Sequence, residues 1–217
     1  MDLVLPPYCV SCRAHGAWLC AACERSFVRL RPPLCARCGG PSAWAVDRCR
    51  ECSGRRLAFA TARAAVSYSG PTPDVVRAWK ERGLRPLAIL AANVVADLVP
   101  RPAADVITYI PPDRDRSVRR GHHPARRLAR ELAARWELEP SPLLARARPV
   151  TRQAGLTLPE RRRNVRGAFR ADGVVPRRVV LVDDVYTTGA TVAAAASALR
   201  AGGARRVDVV TFARAVR

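Results

Sequence analysis

Thirteen consecutive residues, Val179 to Thr191, constrain the fold of this 217-residue chain more than any other stretch. They read VVLVDDVYTTGAT. The four leading apolar residues have the length of a strand buried on both faces, as in a parallel sheet. The small residues after Tyr186 predict a tight loop, and the alanine-rich run from Thr191 to Leu199 predicts a helix. A strand–loop–helix corner directs backbone N–H groups at its ligand, and the helix N-terminus favours an anion. Thr187, Thr188 and Thr191 add hydroxyl donors, and Gly189 lets the backbone come close. With Tyr186 and Ala190 they form the expected phosphate cradle, residues 186–191. Asp183 and Asp184 accept hydrogen bonds and suit sugar hydroxyls beside that phosphate. The corner as a whole suits a ribose 5-phosphate. A strand ending in two capping aspartates, with the threonines as an N-cap, is the plainer reading. It leaves two acids, three threonines and a glycine in one block unexplained.

The eight cysteines all precede Gly54 and form four C-x-x-C pairs: Cys9/Cys12, Cys20/Cys23, Cys35/Cys38 and Cys49/Cys52. Each pair can turn two sulfurs toward one metal, and two pairs make a tetrahedral four-cysteine zinc site. Two structural zinc ions are therefore expected, with no cysteine left over and no open coordination position. Sequential pairing (9/12 with 20/23, 35/38 with 49/52) is the simplest, and a cross-braced pairing is the alternative. Disulfides would need an oxidising compartment, and nothing in the sequence points to export. A segment this short has little core of its own, so the metals should supply much of its folding energy.

From about Leu57 the chain alternates strand-like and helix-like runs. Strands are predicted at Ala60–Tyr68, Val106–Ile110, Val179–Val182 and Val207–Phe212. Helices are predicted at Pro73–Arg82, Pro86–Leu98, Pro124–Trp136 and Leu158–Val165. The alternation indicates an α/β domain with a mainly parallel sheet, whose ligands sit beyond the carboxyl ends of its strands. The expected organisation is a zinc-ribbon domain at 1–56 and a sheet domain at 57–217. Leu87 to Val99 is the longest apolar run, too short for a membrane span and interrupted by Asn93 and Asp97. Met1 to Ser11 lacks the basic and apolar regions of a targeting segment, so a cytoplasmic protein without membrane insertion is expected.

The formal charge of +20 attracts polyanions, either nucleic acid or phosphorylated substrates. Seven arginines fall between 114 and 130 and eight between 146 and 170. Few aromatics accompany them, Trp136 and Phe169 being the nearest, so binding to a nucleic-acid backbone should be electrostatic and weakly sequence-selective. A solvated basic face is the plain alternative. A single lysine, Lys80, stands among 38 basic residues. Either chance keeps it there, or its position needs a compact ammonium rather than a guanidinium fork.

The Val179–Thr191 block resembles the phosphoribosyl-pyrophosphate (PRPP) motif of type I phosphoribosyltransferases, in which four hydrophobics, two acids and a Thr-Thr-Gly-x-Thr loop follow in this order. With the cysteine pairs in front, nearly the whole chain resembles the ComF (ComFC-like) family. Its members join a cysteine-knuckle zinc domain to a phosphoribosyltransferase-like domain, and several act in DNA uptake for natural transformation. Three further elements carry the likeness. Trp79-Lys80-Glu81-Arg82-Gly83 is similar to a Lys-x-x-Gly element. Arg120-Gly121 lies in a basic loop after Ile110-Pro111. Thr151, Gln153 and Leu156, followed by Arg161, Asn164, Ala168 and Phe169, match a fourth segment, with the threonine one place closer to the glutamine. One element departs: where members commonly read Arg-Gly-Phe-Asn-Gln, this chain has Arg120-Gly121-His122-His123-Pro124. The histidines either replace the missing amides as donors or are exposed residues ahead of a helix starting at Pro124.

The resemblance implies a type I phosphoribosyltransferase-like fold in which Asp183 and Asp184 hold the ribose hydroxyls. It implies Lys80 and Arg120 as pyrophosphate contacts, Mg²⁺ bound with PRPP, and a mobile hood at Arg148–Thr157. Arg114, Arg116, Arg119, Arg161 and Arg162 become candidate contacts to single-stranded DNA. A competence helicase or another uptake protein is the implied protein partner. Two functions stand side by side: a phosphoribose- and DNA-binding protein of DNA uptake, and a working PRPP-dependent transferase of nucleotide or nucleoside metabolism.

Overall fold

The structure, a computed structural model, describes residues 7–112, 122–148 and 158–216. Its elements run α1 (Ala21–Arg25), β1 (Thr61–Ser67), α2 (Thr72–Arg82), α3 (Pro86–Leu98), β2 (Val106–Tyr109), α4 (Pro124–Trp136), β3 (Glu139–Pro140), β4 (Leu144–Arg146), α5 (Leu158–Val165), β5 (Phe169–Ala171), β6 (Arg178–Tyr186), α6 (Ala190–Ala201) and β7 (Arg206–Arg214). Five strands form one sheet in the order β1-β7-β6-β2-β3, with every neighbouring pair parallel. Each parallel step requires a crossover, and helices on both faces supply the cover. This is the α/β architecture with a mainly parallel sheet that the alternating pattern predicts.

The period-2 geometry of the strands splits the apolar residues between two cores. Val180 and Val182 of β6, with Val210 and Phe212 of β7, point into a core built with α2, α3 and α4. Val179 and Leu181, with Val207 and Val209, point into a second core under α6 and the antiparallel β4–β5 ribbon. A strand buried on both sides must be apolar at successive positions, which is why Val179 to Val182 carries no polar residue. Helix α4 shows the complementary period: Leu128, Ala129, Leu132, Ala133 and Trp136 are buried, while Arg126, Arg127 and Arg130 face out. Pro124 at its first turn and the left-handed Glu137 at its end bound it.

The N-terminal segment is wrapped around the sheet rather than strung beside it. Residues 28–30 pair antiparallel with the outer edge of β1: Leu30 N–H donates to Ala65 O at 2.9 Å and Ser67 N–H to Val28 O at 2.8 Å. An edge strand that would otherwise offer open backbone groups is thereby covered. The chain then crosses that edge. Cys9, Val10, Leu19 and Phe27 belong to the α2–α4 core, and Phe27 meets Phe212 edge-on with ring centroids 5.7 Å apart. Cys35, Cys38, Cys52, Leu57 and Phe59 belong to the α6 core. The two cysteine clusters thus sit on opposite faces of one sheet. No helix among the described residues is long and apolar enough to cross a membrane.

Candidate functional site and metal centres

Strand β6 runs further than its apolar pattern predicts. Asp183 still pairs in register with Thr211, and Tyr186 with Arg214, so both acids lie in the last turn of strand pairing rather than beyond it. Period 2 sends their side chains to opposite faces. Asp184 meets Lys80 of α2, with Nζ and Oδ1 2.6 Å apart. Asp183 accepts the Asp184 N–H at 2.9 Å. Burial, then repulsion from Asp184, pushes Asp183 up to about 7 against the pull of Lys80. Burial works against the Lys80 charge, yet Asp184 and then Asp183 hold its ammonium above the usual lysine range. The single lysine is thus the counter-ion of an acid pair, where a compact charge fits.

Asp183 ionises near 3.8 in the absence of the fold and near 7 within it, so the folded chain holds an extra proton between those values. Its contribution to stability falls as pH rises from about 4 to 7. Asp183→Asn is expected to flatten the pH profile of the melting midpoint across that window. An unchanged slope would show that Asp183 titrates normally.

After Tyr186 the chain turns through Thr187 and Thr188 to Gly189, which adopts φ +71° as the N-cap of α6. A Cβ at Gly189 would lie 2.2 Å from the Tyr186 hydroxyl, so only glycine fits over that ring. Thr188 Oγ1 accepts the Ala190 N–H at 3.2 Å. Arg55 holds this loop from outside it, its Nη2 donating to Thr188 O at 2.7 Å. Sequence reading missed Arg55 and Arg214 because both come from distant parts of the chain. Arg146 of β4, counted from sequence only among the basic residues of 146–170, lies in the field of Asp183 and donates to Pro111 O at 3.2 Å.

Both histidines of the departing element serve the local structure and are half-buried, so the reading of them as exposed residues is corrected. His122 Nε2 lies 2.8 Å from Trp79 O. His123 Nδ1 accepts the Arg126 N–H at 3.2 Å and so caps α4, which does begin at Pro124. Burial, then Arg126, pushes His123 down to about 4, leaving a neutral ring. Beside them opens a cavity of about 280 Å³ walled by Trp79, Arg85, Arg126, Arg127 and Arg130. Trp136 and Phe169 are buried, so neither offers a stacking platform to a base. Arg114, Arg116, Arg119, Arg120 and most of the hood segment, 149–157, lie outside the described residues, as do the side chains of Arg161 and Arg162. Arg148 is described and donates to Asn164 O and Arg166 O.

The cysteines form two groups of four, Cys9/Cys12/Cys20/Cys23 and Cys35/Cys38/Cys49/Cys52, with the sulfurs of each group within 4.8 Å of one another. Pairing is sequential, not cross-braced. Sulfur separations of 3.6 Å (Cys12–Cys20), 3.6 Å (Cys35–Cys52) and 3.5 Å (Cys38–Cys49) are close to the edge of about 3.8 Å that a zinc tetrahedron with 2.3 Å bonds requires. They are far longer than a disulfide of about 2.05 Å. Cys35 Sγ also accepts the N–H groups of Cys38 and Cys49, as a metal thiolate does. Both clusters fit structural zinc, which would act as a cross-link between knuckles. Two zinc ions per chain are expected by metal analysis, falling to one in Cys20→Ser; a metal content near zero in the native protein would exclude the assignment.

Two four-cysteine clusters, one on either face of a parallel sheet, and an acid pair followed by a threonine–glycine loop at the sheet's carboxyl edge define an α/β protein with zinc-ribbon clusters. Residues 1–53 match the double zinc ribbon domain. The chain is 30% identical to the DNA utilization protein YhgH of Salmonella typhi across 95% of this chain and 96% of that one. It is 33% identical to Competence protein F of Haemophilus influenzae, covering 63% of this chain and 62% of that protein. It is 42% identical to YhgH of Escherichia coli O6:H1 over 38% of this chain, a match that spans only 35% of that relative's length. The chain belongs to the ComF family, the family of Competence protein F and the YhgH proteins.

Proposed function

We propose that this protein binds PRPP or a related phosphosugar at Asp183–Thr191 and single-stranded DNA on the adjoining basic surface, in the service of DNA uptake or use. The observation that carries this reading is the acid pair at the carboxyl edge of β6, neutralised by Lys80 and followed at once by the glycine-pivoted loop. Asp183 and Asp184 accept the ribose 2- and 3-hydroxyls. The N–H groups and hydroxyls of residues 186–191 receive the 5-phosphate. Mg²⁺ enters with the pyrophosphate, whose charge Lys80 and Arg120 offset. In this reading residues 57–217 are a type I phosphoribosyltransferase-like domain and residues 1–56 its zinc-ribbon companion.

The names of the relatives, DNA utilization protein and Competence protein F, support a nucleic-acid role. The arginine-walled cavity beside Trp79 adds cations, and Arg114, Arg116, Arg119, Arg161 and Arg162 are the further DNA contacts in this proposal. A competence helicase or another uptake protein is the partner in this proposal, and the exposed Tyr8 and Trp44 on the ribbons support a protein contact there.

The test is a labelled single-stranded oligonucleotide bound at moderate salt and followed by anisotropy while Mg·PRPP is titrated in. Release at concentrations far below those needed for plain pyrophosphate places both ligands in one pocket. DNA that leaves only as ionic strength rises reduces its binding to surface electrostatics. The intact Lys80–Asp184 pair also favours a second reading, an active transferase. Pyrophosphate released from Mg·PRPP with one of a panel of bases and amines supports it; none above background removes it.

A further inference from the structure

We infer that the second cysteine cluster is a positioning part of the anion loop: metal held by Cys35, Cys38, Cys49 and Cys52 keeps Thr187–Thr191 in its receiving shape through Arg214 and Arg55, whereas the first cluster has no such role. The inference rests on the reading of that loop as the phosphate cradle.

Two struts connect cluster and loop. The first is Arg214, the last residue of β7, only 1% exposed. Its Nη1 donates to Cys38 O at 2.6 Å, and its Nη2 binds Glu51 and lies 3.6 Å from Cys38 Sγ. Gly40 makes room for it, since a Cβ there would come within 3.1 Å of Nη2. The Arg214 guanidinium covers the Tyr186 ring, 4.5 Å from its centroid, and Gly189 turns against the hydroxyl end of the same ring. A buried guanidinium stays charged, so Glu51 and the Cys38 carbonyl are its necessary partners, and both sit on the knuckles.

The second strut is Arg55, three residues past Cys52. It bonds Thr188 O through Nη2 and lies 3.4 Å from Glu51 O through Nη1. A trans peptide holds its C=O and N–H in opposite directions. Fixing the Thr188 carbonyl toward the ribbon therefore turns the Gly189 N–H the other way, to the side where a phosphate would lie. Without metal the Cys49–Cys52 turn has no cross-link, and Glu51 and Arg55 lose their footing together. The first cluster packs against the opposite core, with Ser11 reaching Asp74 of α2 at 3.3 Å. Among the described residues none of its hydrogen bonds reaches 186–191.

The test uses the zinc-loaded full chain and reads hydrogen exchange at residues 187–190 together with affinity for Mg·PRPP. Cys52→Ser and Arg55→Ala are expected to speed exchange at Gly189 and Ala190 and to weaken Mg·PRPP by about tenfold or more. Arg55→Lys should recover part of both. Cys20→Ser should leave both within about twofold of the native chain. Unchanged loop exchange in Cys52→Ser and Arg55→Ala, or an equal rise in Cys20→Ser, overturns the coupling. Should Cys52→Ser not fold, Arg55→Ala against Arg55→Lys decides it. Should the native chain not bind Mg·PRPP, the ligand reading falls, and the exchange data still decide whether the cluster holds the loop.

Discussion

Replacing both Asp183 and Asp184 with asparagine is expected to weaken Mg·PRPP binding by about 10²–10⁴-fold, since each carboxylate hydrogen bond to a hydroxyl contributes about 1.5–3 kcal/mol. The measurement is calorimetric titration at pH 8, where Asp183 is ionised. The fold should survive, because the double change removes a like-charge pair as well as the partner of Lys80. Melting should stay within a few degrees of the native chain or rise slightly at high pH. Single changes should differ. Asp184→Asn leaves Lys80, with 31% of its side chain exposed, to lean toward Asp183, whose affinity for a proton then falls. Asp183→Asn keeps the 2.6 Å Lys80–Asp184 pair intact and loses only a sugar contact. Affinity unchanged in the double variant would mean that phosphosugar binding, if present, occurs elsewhere.

Gly189→Ala should be the most damaging single-methyl change in the sheet domain. The left-handed backbone costs about 1–2 kcal/mol for a residue with a side chain. The new methyl must also displace Tyr186, whose hydroxyl, Cζ and Cε2 would stand 2.2, 2.5 and 2.9 Å away. Tyr186 cannot swing aside, because Phe59 meets its ring edge-on and Arg214 covers it. A total near 3 kcal/mol lowers the melting midpoint of a chain this size by about 10 °C, with loss of phosphate binding. Tyr186→Ala in the same chain should restore part of the loss, so the two changes should cost clearly less together than their sum. Strict additivity would show that the loop relaxes by another route.

The parts legible from sequence are those written in contiguous residues. Val179–Val182 announces a doubly buried strand, Leu128 and Leu132, four residues apart, announce the inner face of α4, and the C-x-x-C spacing announces two metal sites. The short β3, β4 and β5 went unseen because two or three residues carry no measurable period. The arrangement around the loop was also hidden. Arg55 and Arg214 look like two more arginines in a chain full of them, and only tertiary packing distinguishes a buried guanidinium from a solvated one. Lys80 stood out by being a lysine, and Asp184 explains it. The roles of His122 and His123 stayed open because neither a bond to a distant carbonyl, as at His122, nor a helix cap made by an imidazole, as at His123, has a short sequence signature.

The order of strands across the sheet has a consequence for how the protein is made. β7, the last strand in chain order, lies between β1 and β6. Thr61 of β1 waits for Asp208, 147 residues later, before its hydroxyl finds its partner. During synthesis the ribbons emerge first, with sulfurs ready for metal, while one flank of β1 and one of β6 stay unpaired until the final strand is delivered. A nascent chain in that state exposes strand edges and apolar faces that invite aggregation. Early metal capture by the ribbons, with residues 28–30 already laid along the outer flank of β1, leaves a single slot open, and only β7 has the register and the apolar pattern to fill it.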